Sequence, residues 1–400
     1  MSRGERSHDV VVFGATGFTG ALTAQHLAAH APPGSRLALA GRSGVRLEAL
    51  RMRLATADAR CARLPLAVLD AADGPALRRI AAATRVLVNA VGPYTTHGDA
   101  VVAACAEQGT DYVDLAAEGE FVDLSYIRHH DRATRTHARL VHSCGFDSIP
   151  FDLGTLHTLM QLPEGVPMRV RAFAQLHLGG VRNAGRGFST GSLRSALVML
   201  SRPRQRARAR STRLALEPLP RDRTVEVPLG RPHRPRELEG WALPAPRFDS
   251  RVVGRSAGAL DRYGPDFSYE QYVLVRRLGT AAAAIGVGGA MFTLAQLQPV
   301  RELILARLPS GAGPSAAERG RRRFTVTLVG DGGGRRILTE VRGGDPGYDE
   351  SAKMLAEAAL CLAHDDLPRC SGQVTPATAM GEILIARLGR QGITFTSRRV

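Results

Sequence analysis

Short runs of apolar residues alternate with helix-like segments along the first 150 residues of the chain. The runs have the length of buried strands, and in the segments between them apolar residues recur every three or four positions. Strands separated by helices are typical of a parallel sheet covered on both faces. The predicted strands lie at 9–13, within 36–43, and at 64–70, 85–92, 111–116 and 139–145.

The turn after the first predicted strand is rich in glycine. Residues 14–20 have the sequence GATGFTG, and a helical segment follows. Glycines allow the backbone to approach a pyrophosphate closely, and a helix N-terminus offers it unpaired N–H groups. The alternative is a turn that needs small residues only for packing. We predict that the turn holds a dinucleotide through Gly14, Thr16, Gly17, Phe18, Thr19 and Gly20.

An arginine follows the second predicted strand, where many dinucleotide-binding proteins have an acidic residue. Arg42 comes twenty-two positions after Gly20, close to the ~20 residues expected for the group that contacts the ribose. The guanidinium of Arg42 beside Ser43 suits a 2′-phosphate, because its planar fork binds phosphate oxygens in pairs. The alternative is an ordinary surface arginine. The pattern therefore predicts NADP(H) as the cofactor.

Two further strand ends carry candidate contacts. Asp70 closes the third predicted strand, where its side chain would meet the adenine ring. The fourth strand ends in NAVGPY, next to the glycine turn across the point where the strand order reverses and ligands bind. We therefore expect Val91 and Gly92 to contact the cofactor, with Tyr94 beside the nicotinamide.

The pattern changes after about residue 152. Long alternating stretches at 168–180 and 322–344 predict antiparallel strands, the second a hairpin across GDGGG. We expect an α/β protein with a Rossmann-type parallel-sheet domain at 1–152 and a second α+β domain, for substrate or dimerisation, at 153–373. A Pro/Arg-rich stretch at 202–250 is predicted to be a loop. A helix at about 374–400 is predicted to pack back on the first domain.

Residues 278–297 form an almost uncharged stretch of membrane-spanning length. Alanine and glycine dominate it, and arginines flank it. Three interpretations stay open: a membrane span, a buried or substrate-lining segment, and shallow contact with a membrane surface.

The chain has a formal net charge of +16, yet 52 of its 53 basic residues are arginine, which is typical of a GC-rich coding bias. Aromatic residues make up only 5% of the chain, too few for a nucleic-acid stacking platform, so we expect no nucleic-acid partner. The densest arginine run, 202–213, is predicted to be a solvated, mobile loop; the alternative is a docking site for an acidic partner. Five scattered cysteines without a CxxC pair indicate reduced thiols, a cytoplasmic protein and no metal site.

Several motifs together resemble a known family. They occur in the order GATGFTG, AGRS, VGPYTTHGDAVVAACAEQGTDYVDL, HSCGFDSIP, GRGFSTGS, GPSAAERGR, GGDPGY and TPATAMGE. In these the chain is similar, nearly end to end, to saccharopine dehydrogenase-like oxidoreductases, and most to the actinobacterial trans-acting enoyl reductases. The resemblance implies an NADP-linked reductase that acts on acyl chains while polyketide synthases assemble complex lipids. One departure is DLAAEG at 114–119, where the family tends to have a glycine before the acid that corresponds to Glu118.

Enoyl reduction needs a donor for the enolate oxygen that develops as hydride arrives, and a proton for the neighbouring carbon. Tyr94 is the first candidate for the donor; its alternative role is to pack the turn as a wedge. Cys144 and Asp147, with His142, are the next candidates, and His97 is a further one. The substrate implied is an enoyl thioester, free or bound to a carrier on a polyketide synthase.

Two other functions stay open. One is an enzyme that forms or cleaves C–N bonds of an amino acid, as true saccharopine dehydrogenases do. The other is a non-enzymatic, nucleotide-binding scaffold at a lipid surface. Peripheral membrane contact and a homodimer are further interactions that the sequence leaves open.

Overall fold

The computed structural model describes residues 6–177, 190–218, 220, 222–245, 248–276, 278–307 and 313–400. They form two β-sheets with helices around them. The strands are β1 (His8–Phe13), β2 (Leu37–Gly41), β3 (Leu66–Val68), β4 (Thr84–Asn89), β5 (Asp111–Asp114), β6 (Arg139–Val141), β7 (Met168–His177), β8 (Thr224–Glu226), β9 (Trp241–Pro244), β10 (Asp266–Val275), β11 (Arg323–Gly332), β12 (Arg335–Gly343), β13 (Gly372–Val374) and β14 (Thr394–Arg399).

The helices range from single turns to five turns. They are α1 (Phe18–His30), α2 (Gly44–Ala55), α3 (Gly74–Ala82), α4 (Tyr94–His97), α5 (Asp99–Gln108), α6 (Gly119–Arg135), α7 (Ile149–Leu159), α8 (Thr190–Ser201), α9 (Pro203–Leu216), α10 (Phe248–Ala259), α11 (Leu278–Gln296), α12 (Gln298–Arg307), α13 (Ala316–Arg319), α14 (Asp349–His364), α15 (Pro376–Ala379) and α16 (Gly381–Arg390).

The first sheet is parallel throughout, in the order β13-β6-β5-β4-β1-β2-β3. Its central strands are apolar on both faces because helices cover both of them. Val10 and Val12 of β1 pack in one core with α1, α2 and α14, while Val11 and Phe13 pack in the other with α3 and α5. The strand order reverses between β1 and β4, so the carboxyl ends of these two strands form the crevice that such folds use for ligands.

The second sheet is mixed, in the order β14-β12-β11-β7-β10-β8, with β9 paired to β10. β11 and β12 form the predicted hairpin, and β7 pairs antiparallel with β11. β7 and β10, however, run parallel, which the alternating pattern alone did not indicate. Helix α7 follows β6 and packs across β11 and β12; the Cβ of a larger residue at Gly154 would lie 2.9 Å from Leu328. The expected combination of a Rossmann-type sheet with a second α+β unit is confirmed.

The prediction that the arginine run 202–213 is a mobile loop is wrong. It forms most of helix α9, which packs on α6. Arg202 pairs with Glu120 at 2.8 Å, and Arg213 pairs with Asp123 at 3.0 Å. Buried carboxylates on α6 therefore hold the helix in place. The rest of the predicted loop contains β8, β9 and the start of α10.

The tail is also more than one helix. β13 joins the edge of the first sheet beside β6, α16 packs on α14 and α7, and β14 pairs with β12 in the second sheet. Helix α14, predicted within the second domain, packs against α1, β4 and β5 of the first sheet. Elements from the last 52 residues thus belong to both sheets.

The Ala/Gly-rich stretch forms helix α11, whose described side chains are largely exposed; Phe292 and Leu294 are each 42% exposed. The interpretation of this stretch as a buried segment is therefore wrong for most of its described side chains, while a substrate-lining role and contact with a membrane surface stay predictions. Helix α11 packs on α8 and α12, and the Gln296 amide donates to the Leu200 carbonyl at 2.6 Å. None of the helices among the described residues has both the length and the apolar character needed to cross a bilayer.

Candidate cofactor and substrate site

The glycine turn between β1 and α1 can only be built with glycine at two of its positions. Gly14 has φ +83°, and a Cβ there would lie 2.7 Å from Val91. A Cβ on Gly20 would lie 2.2 Å from the Gly14 carbonyl oxygen. The turn therefore folds tightly under the start of α1, and the end of β4 packs directly against it.

Helix α1 begins at Phe18 with Gly17 as its N-cap, and no side chain in the described part of the chain caps it. Its first turn contains no acidic residue. The first N–H groups of α1 and the positive end of the helix dipole are thus left to a ligand. Thr16 and Thr19 flank this position, and the Thr19 carbonyl is used within the helix by the Thr23 hydroxyl.

Residues from two distant motifs surround Phe18. Its ring makes an edge contact with Tyr348 (centroids 5.1 Å apart), and the Arg319 guanidinium lies 5.4 Å from its centroid. Arg319 is held by Asp349 at 2.7 Å. The motifs GPSAAERGR and GGDPGY thus meet at the start of α1, a contact that sequence reasoning missed. The motif GRGFSTGS lies mostly outside the described residues.

Arg42 and Ser43 lie where β2 ends, beside the glycine turn. The Arg42 side chain is 79% exposed, and its Nε is 3.8 Å from the Asp70 carboxylate, too far for a hydrogen bond. Ser43 is the N-cap of α2 and accepts a hydrogen bond from the Arg46 N–H at 3.4 Å. The Arg46 guanidinium donates to the Thr16 carbonyl at 2.9 Å. Sequence reasoning missed Arg46, although its position three residues after a helix-capping serine was a signal.

The VGPY turn is anchored by Glu118, the acid of the departing DLAAEG motif. This carboxylate is buried, and it accepts hydrogen bonds from the N–H groups of Tyr94 (2.9 Å) and Thr95 (2.7 Å). The Thr95 hydroxyl donates to it as well. Glu118 therefore fixes the first turn of α4 and the direction in which VGPY leaves β4, without a glycine before it.

The Tyr94 hydroxyl is occupied by backbone groups. It donates to the Asn89 carbonyl at 3.1 Å and accepts from the Leu115 N–H at 3.3 Å, and the ring stacks on Phe121. Burial, followed by the nearby Asp114, raises the pKa of Tyr94 well above its usual value. This geometry favours the wedge role; the donor role stays a prediction.

The other candidates of the HSCGFDS segment differ in access. His142 is buried with both ring nitrogens engaged, Nδ1 with Asp114 at 2.7 Å and Nε2 with Ser125 at 2.9 Å. Cys144 is fully buried, and burial raises the pKa of its thiol well above the usual range, so the thiol stays neutral. Both lie inside the packed protein. His97, at the end of α4, is exposed.

Asp147 is the member of this segment that solvent reaches. It lies between the end of β6 and the start of α7, and none of the described residues donates a hydrogen bond to its carboxyl or pairs with it. Desolvation by the surrounding protein nevertheless raises the pKa of this carboxyl. Among the candidates of this segment, Asp147 is therefore the one that combines an exposed carboxyl with a raised pKa.

Helix α8 lies over the VGPY turn. A Cβ on Gly92 would come 3.4 Å from the Ser195 hydroxyl. The structure thus brings together the glycine turn, Val91, Gly92 and α8 at one edge of the first sheet. Arg42, Ser43 and Asp70 lie at the same edge beyond the turn, while Tyr94 and Cys144 are enclosed below it.

Comparison with known proteins agrees with this arrangement. Residues 10–142 match the model of the saccharopine dehydrogenase NADP binding domain. The chain is 35% identical over 439 aligned positions to a trans-acting enoyl reductase of Mycobacterium tuberculosis, and 34% identical over 429 to one of Mycobacterium ulcerans; both alignments cover all of each chain. The fold is similar to saccharopine dehydrogenase (L-Glu forming) of Saccharomyces cerevisiae, with a TM-score of 0.59 and 13% identity over 98% of this chain and 99% of the other.

The alignments with the two relatives extend over the whole chain, and the matched cofactor domain contains the glycine turn, Arg42 and the VGPY turn. The expected family and the expected cofactor are confirmed. The chain belongs to the saccharopine dehydrogenase-like family of trans-acting enoyl reductases, and it is an NADP-dependent oxidoreductase.

Proposed function

We propose that this oxidoreductase is an enoyl reductase that works in trans. It transfers hydride from NADPH to C3 of an enoyl thioester and so reduces the C=C bond of intermediates in polyketide-type lipid assembly. The observation that carries the proposal is the full-length similarity to relatives named trans-acting enoyl reductases.

The arrangement of the turns supports a hydride transfer at the edge of the first sheet. The glycine turn and the N-terminus of α1 suit the pyrophosphate, and VGPY next to them would hold the nicotinamide half. Helix α8 would cover the substrate from the other side, because Ser195 lies against Gly92.

We assign the proton transfer to Asp147. Hydride arrival at C3 leaves negative charge on the thioester oxygen and carbanion character at C2, which must take up a proton. The carboxyl of Asp147 is open to solvent, has no partner among the described residues, and has a raised pKa. A carboxyl with a raised pKa holds its proton nearer to neutral pH, as a general acid requires. Tyr94 and Cys144 would then have structural roles and stabilise the packing of the two turns.

For the cofactor, we propose that Arg42, Ser43 and Arg46 bind the 2′-phosphate at the N-terminus of α2, and that Asp70 lies beside the adenine. Removal of one charged phosphate contact costs roughly 1.5–3 kcal/mol, or about ten- to a hundredfold in affinity. Arg42→Ala is expected to weaken NADPH by this factor and leave NADH unchanged, in titrations of both dinucleotides. Arg53→Ala, at the other end of α2, is the matched control. Equal NADPH affinity in Arg42→Ala and wild type would remove Arg42 from the site.

The reaction itself is tested by single-turnover oxidation of NADPH with a panel of enoyl thioesters, with the saturated thioester identified by mass. A panel of α-keto acids with ammonia or amino acids tests the C–N alternative. If the protein binds NADPH but none of these substrates oxidises it, the proposed reductase activity is overturned and the nucleotide-binding scaffold remains.

A further inference from the structure

The inner side of helix α9 carries more arginines than the carboxylates opposite it can pair. Arg202 at the N-cap of α9 and Arg206, Arg210 and Arg213 within it follow one another at helical spacing. They lie on the side where Arg202 and Arg213 pair with α6. Helix α10 adds Arg251 and Arg255. The carboxylates that pair with this group, among the described residues, are Glu120, Asp123 and Glu217.

The pairing is complete at the two ends of the group. At one end, two nitrogens of Arg202 each donate to Glu120 at 2.8 Å. At the other, Arg255 donates to Glu217 at 2.8 Å, and Arg213 donates to Asp123 at 3.0 Å. These three arginines have structural partners.

The middle of the group is different. Arg206 and Arg210 are half-buried, and they form no hydrogen bond or ion pair with any side-chain or backbone group that the structure describes. Arg251 has a buried Nε with no acceptor among the described side chains, and its guanidinium lies 3.8 Å from an oxygen of Asp123. Burial and then repulsion by Arg210 lower the pKa of Arg251 to about 10, despite Asp123. Among the described side chains, these three guanidinium groups share only Asp123, which already accepts a hydrogen bond from Arg213, so their positive charges are not fully offset.

A small oxyanion is the ligand that this middle cluster fits. Guanidinium groups bind phosphate oxygens through paired N–H donors. A flat protein surface would more readily meet the outward arginines Arg204 and Arg208, which are exposed, than the half-buried middle cluster. A phosphate at the end of a narrow, flexible chain could reach half-buried guanidinium groups, so it fits the observed burial better.

The cluster is connected to the proposed active site through α6. Arg202, at the start of α9, holds Glu120, two residues after the Glu118 that fixes Tyr94. Arg206 and Arg210 follow by one and two helical turns, or about 6 and 12 Å along the axis. A pantetheine arm is as long as about five extended residues, roughly 17 Å, a length on the same scale as these offsets.

We propose that Arg206, Arg210 and Arg251 bind the phosphate of a phosphopantetheine thioester, the group that coenzyme A and acyl carrier proteins share. The identity of the ligand rests on the proposed enoyl reductase function; the presence of an anion site does not.

The anion site is tested with pyrophosphate as the probe and saturating NADPH present to occupy the cofactor site. Melting curves are compared for wild type, the double variant Arg206→Gln/Arg210→Gln, and the matched control Arg204→Gln/Arg208→Gln. Pyrophosphate is expected to raise the Tm of wild type and control but not that of the double variant. The double variant is expected to fold, because it loses only repelling charges. Equal shifts in all three proteins would overturn the site.

The ligand is tested with one enoyl group on three carriers: coenzyme A, a carrier protein, and N-acetylcysteamine, which has no phosphate. For the double variant, we expect KM for the coenzyme A and carrier-protein substrates to rise about tenfold or more. We expect KM for the N-acetylcysteamine substrate to stay the same. A rise for all three carriers would overturn the assignment, and a rise for the carrier protein alone would indicate an acidic protein surface instead. If wild type reduces none of them, the proposed function fails, while the pyrophosphate titration still decides the anion site.

Discussion

The turn after β4 and the turn after β6 lie at the same edge of the first sheet, yet they differ in how their polar groups are used. In the VGPY turn, Glu118 holds two backbone N–H groups, and backbone groups hold the Tyr94 hydroxyl. In the turn after β6, the Asp147 carboxyl is open to solvent and unpaired among the described residues. The difference indicates a division of labour: the first turn positions a ligand, and the second supplies a group free to exchange a proton.

The largest expected effect is that of Asp147→Asn, which removes the proposed acid and keeps its shape. We expect turnover of an enoyl thioester to fall by ~10²–10⁴-fold, with NADPH affinity and Tm retained. Because the pKa of Asp147 is raised, wild-type turnover is expected to persist to higher pH than for an ordinary aspartate and to fall as pH rises through that pKa. In Asp147→Asn, turnover is expected not to fall over this pH range. Asp366→Asn, at an exposed position, is the matched control. Equal turnover in the two variants would show that Asp147 is not the proton donor.

Replacement of Glu118 by Ala tests the positioning turn. The variant leaves the N–H groups of Tyr94 and Thr95 without their charged acceptor, so we expect the free energy of unfolding to fall by about 3 kcal/mol. Chemical denaturation measures this loss. Glu118→Gln keeps one acceptor oxygen and is expected to lose less. If both variants were as stable as wild type, Glu118 would not anchor the turn.

Tyr94→Phe separates the wedge from the donor. We expect a loss of about 1–1.5 kcal/mol in the free energy of unfolding, since two backbone groups lose their partner, and normal single-turnover oxidation of NADPH. Tyr112→Phe is the matched control, because the Tyr112 hydroxyl is likewise tied, to Asn89 and Asp114. A hundredfold slower turnover in Tyr94→Phe alone would restore the donor role that the sequence predicted.

The smallest effect is expected for Cys144→Ala. The thiol is fully buried, and among the described residues its one polar contact is with the Val141 carbonyl at 3.5 Å. We expect a stability loss of about 1 kcal/mol and unchanged turnover. Inactivation of wild type by a small thiol reagent, prevented by substrate and absent in the variant, would instead place Cys144 at the reacting atoms.

The sequence predicted the first sheet well because its strands are local apolar runs. It also predicted the contact between the glycine turn and the end of β4, which follows from strand order. It could not predict that the arginine run forms a packed helix, because the decisive partners, Glu120 and Asp123, lie some 80 to 90 positions earlier. The access of Asp147 and the enclosure of Cys144, three residues apart, likewise depend on packing and not on residue type.

The late position of β13 and α14 in the chain affects how the protein is made. The first sheet lacks an edge strand until residue 374 has left the ribosome, and α14, which covers one of its faces, is itself made only after residue 348. For most of synthesis, apolar side chains of β1, β4 and β5 are therefore without their cover. We expect a nascent chain in this state to bind chaperones. A chain released before residue 349 has been made is expected to aggregate, because these apolar side chains stay exposed.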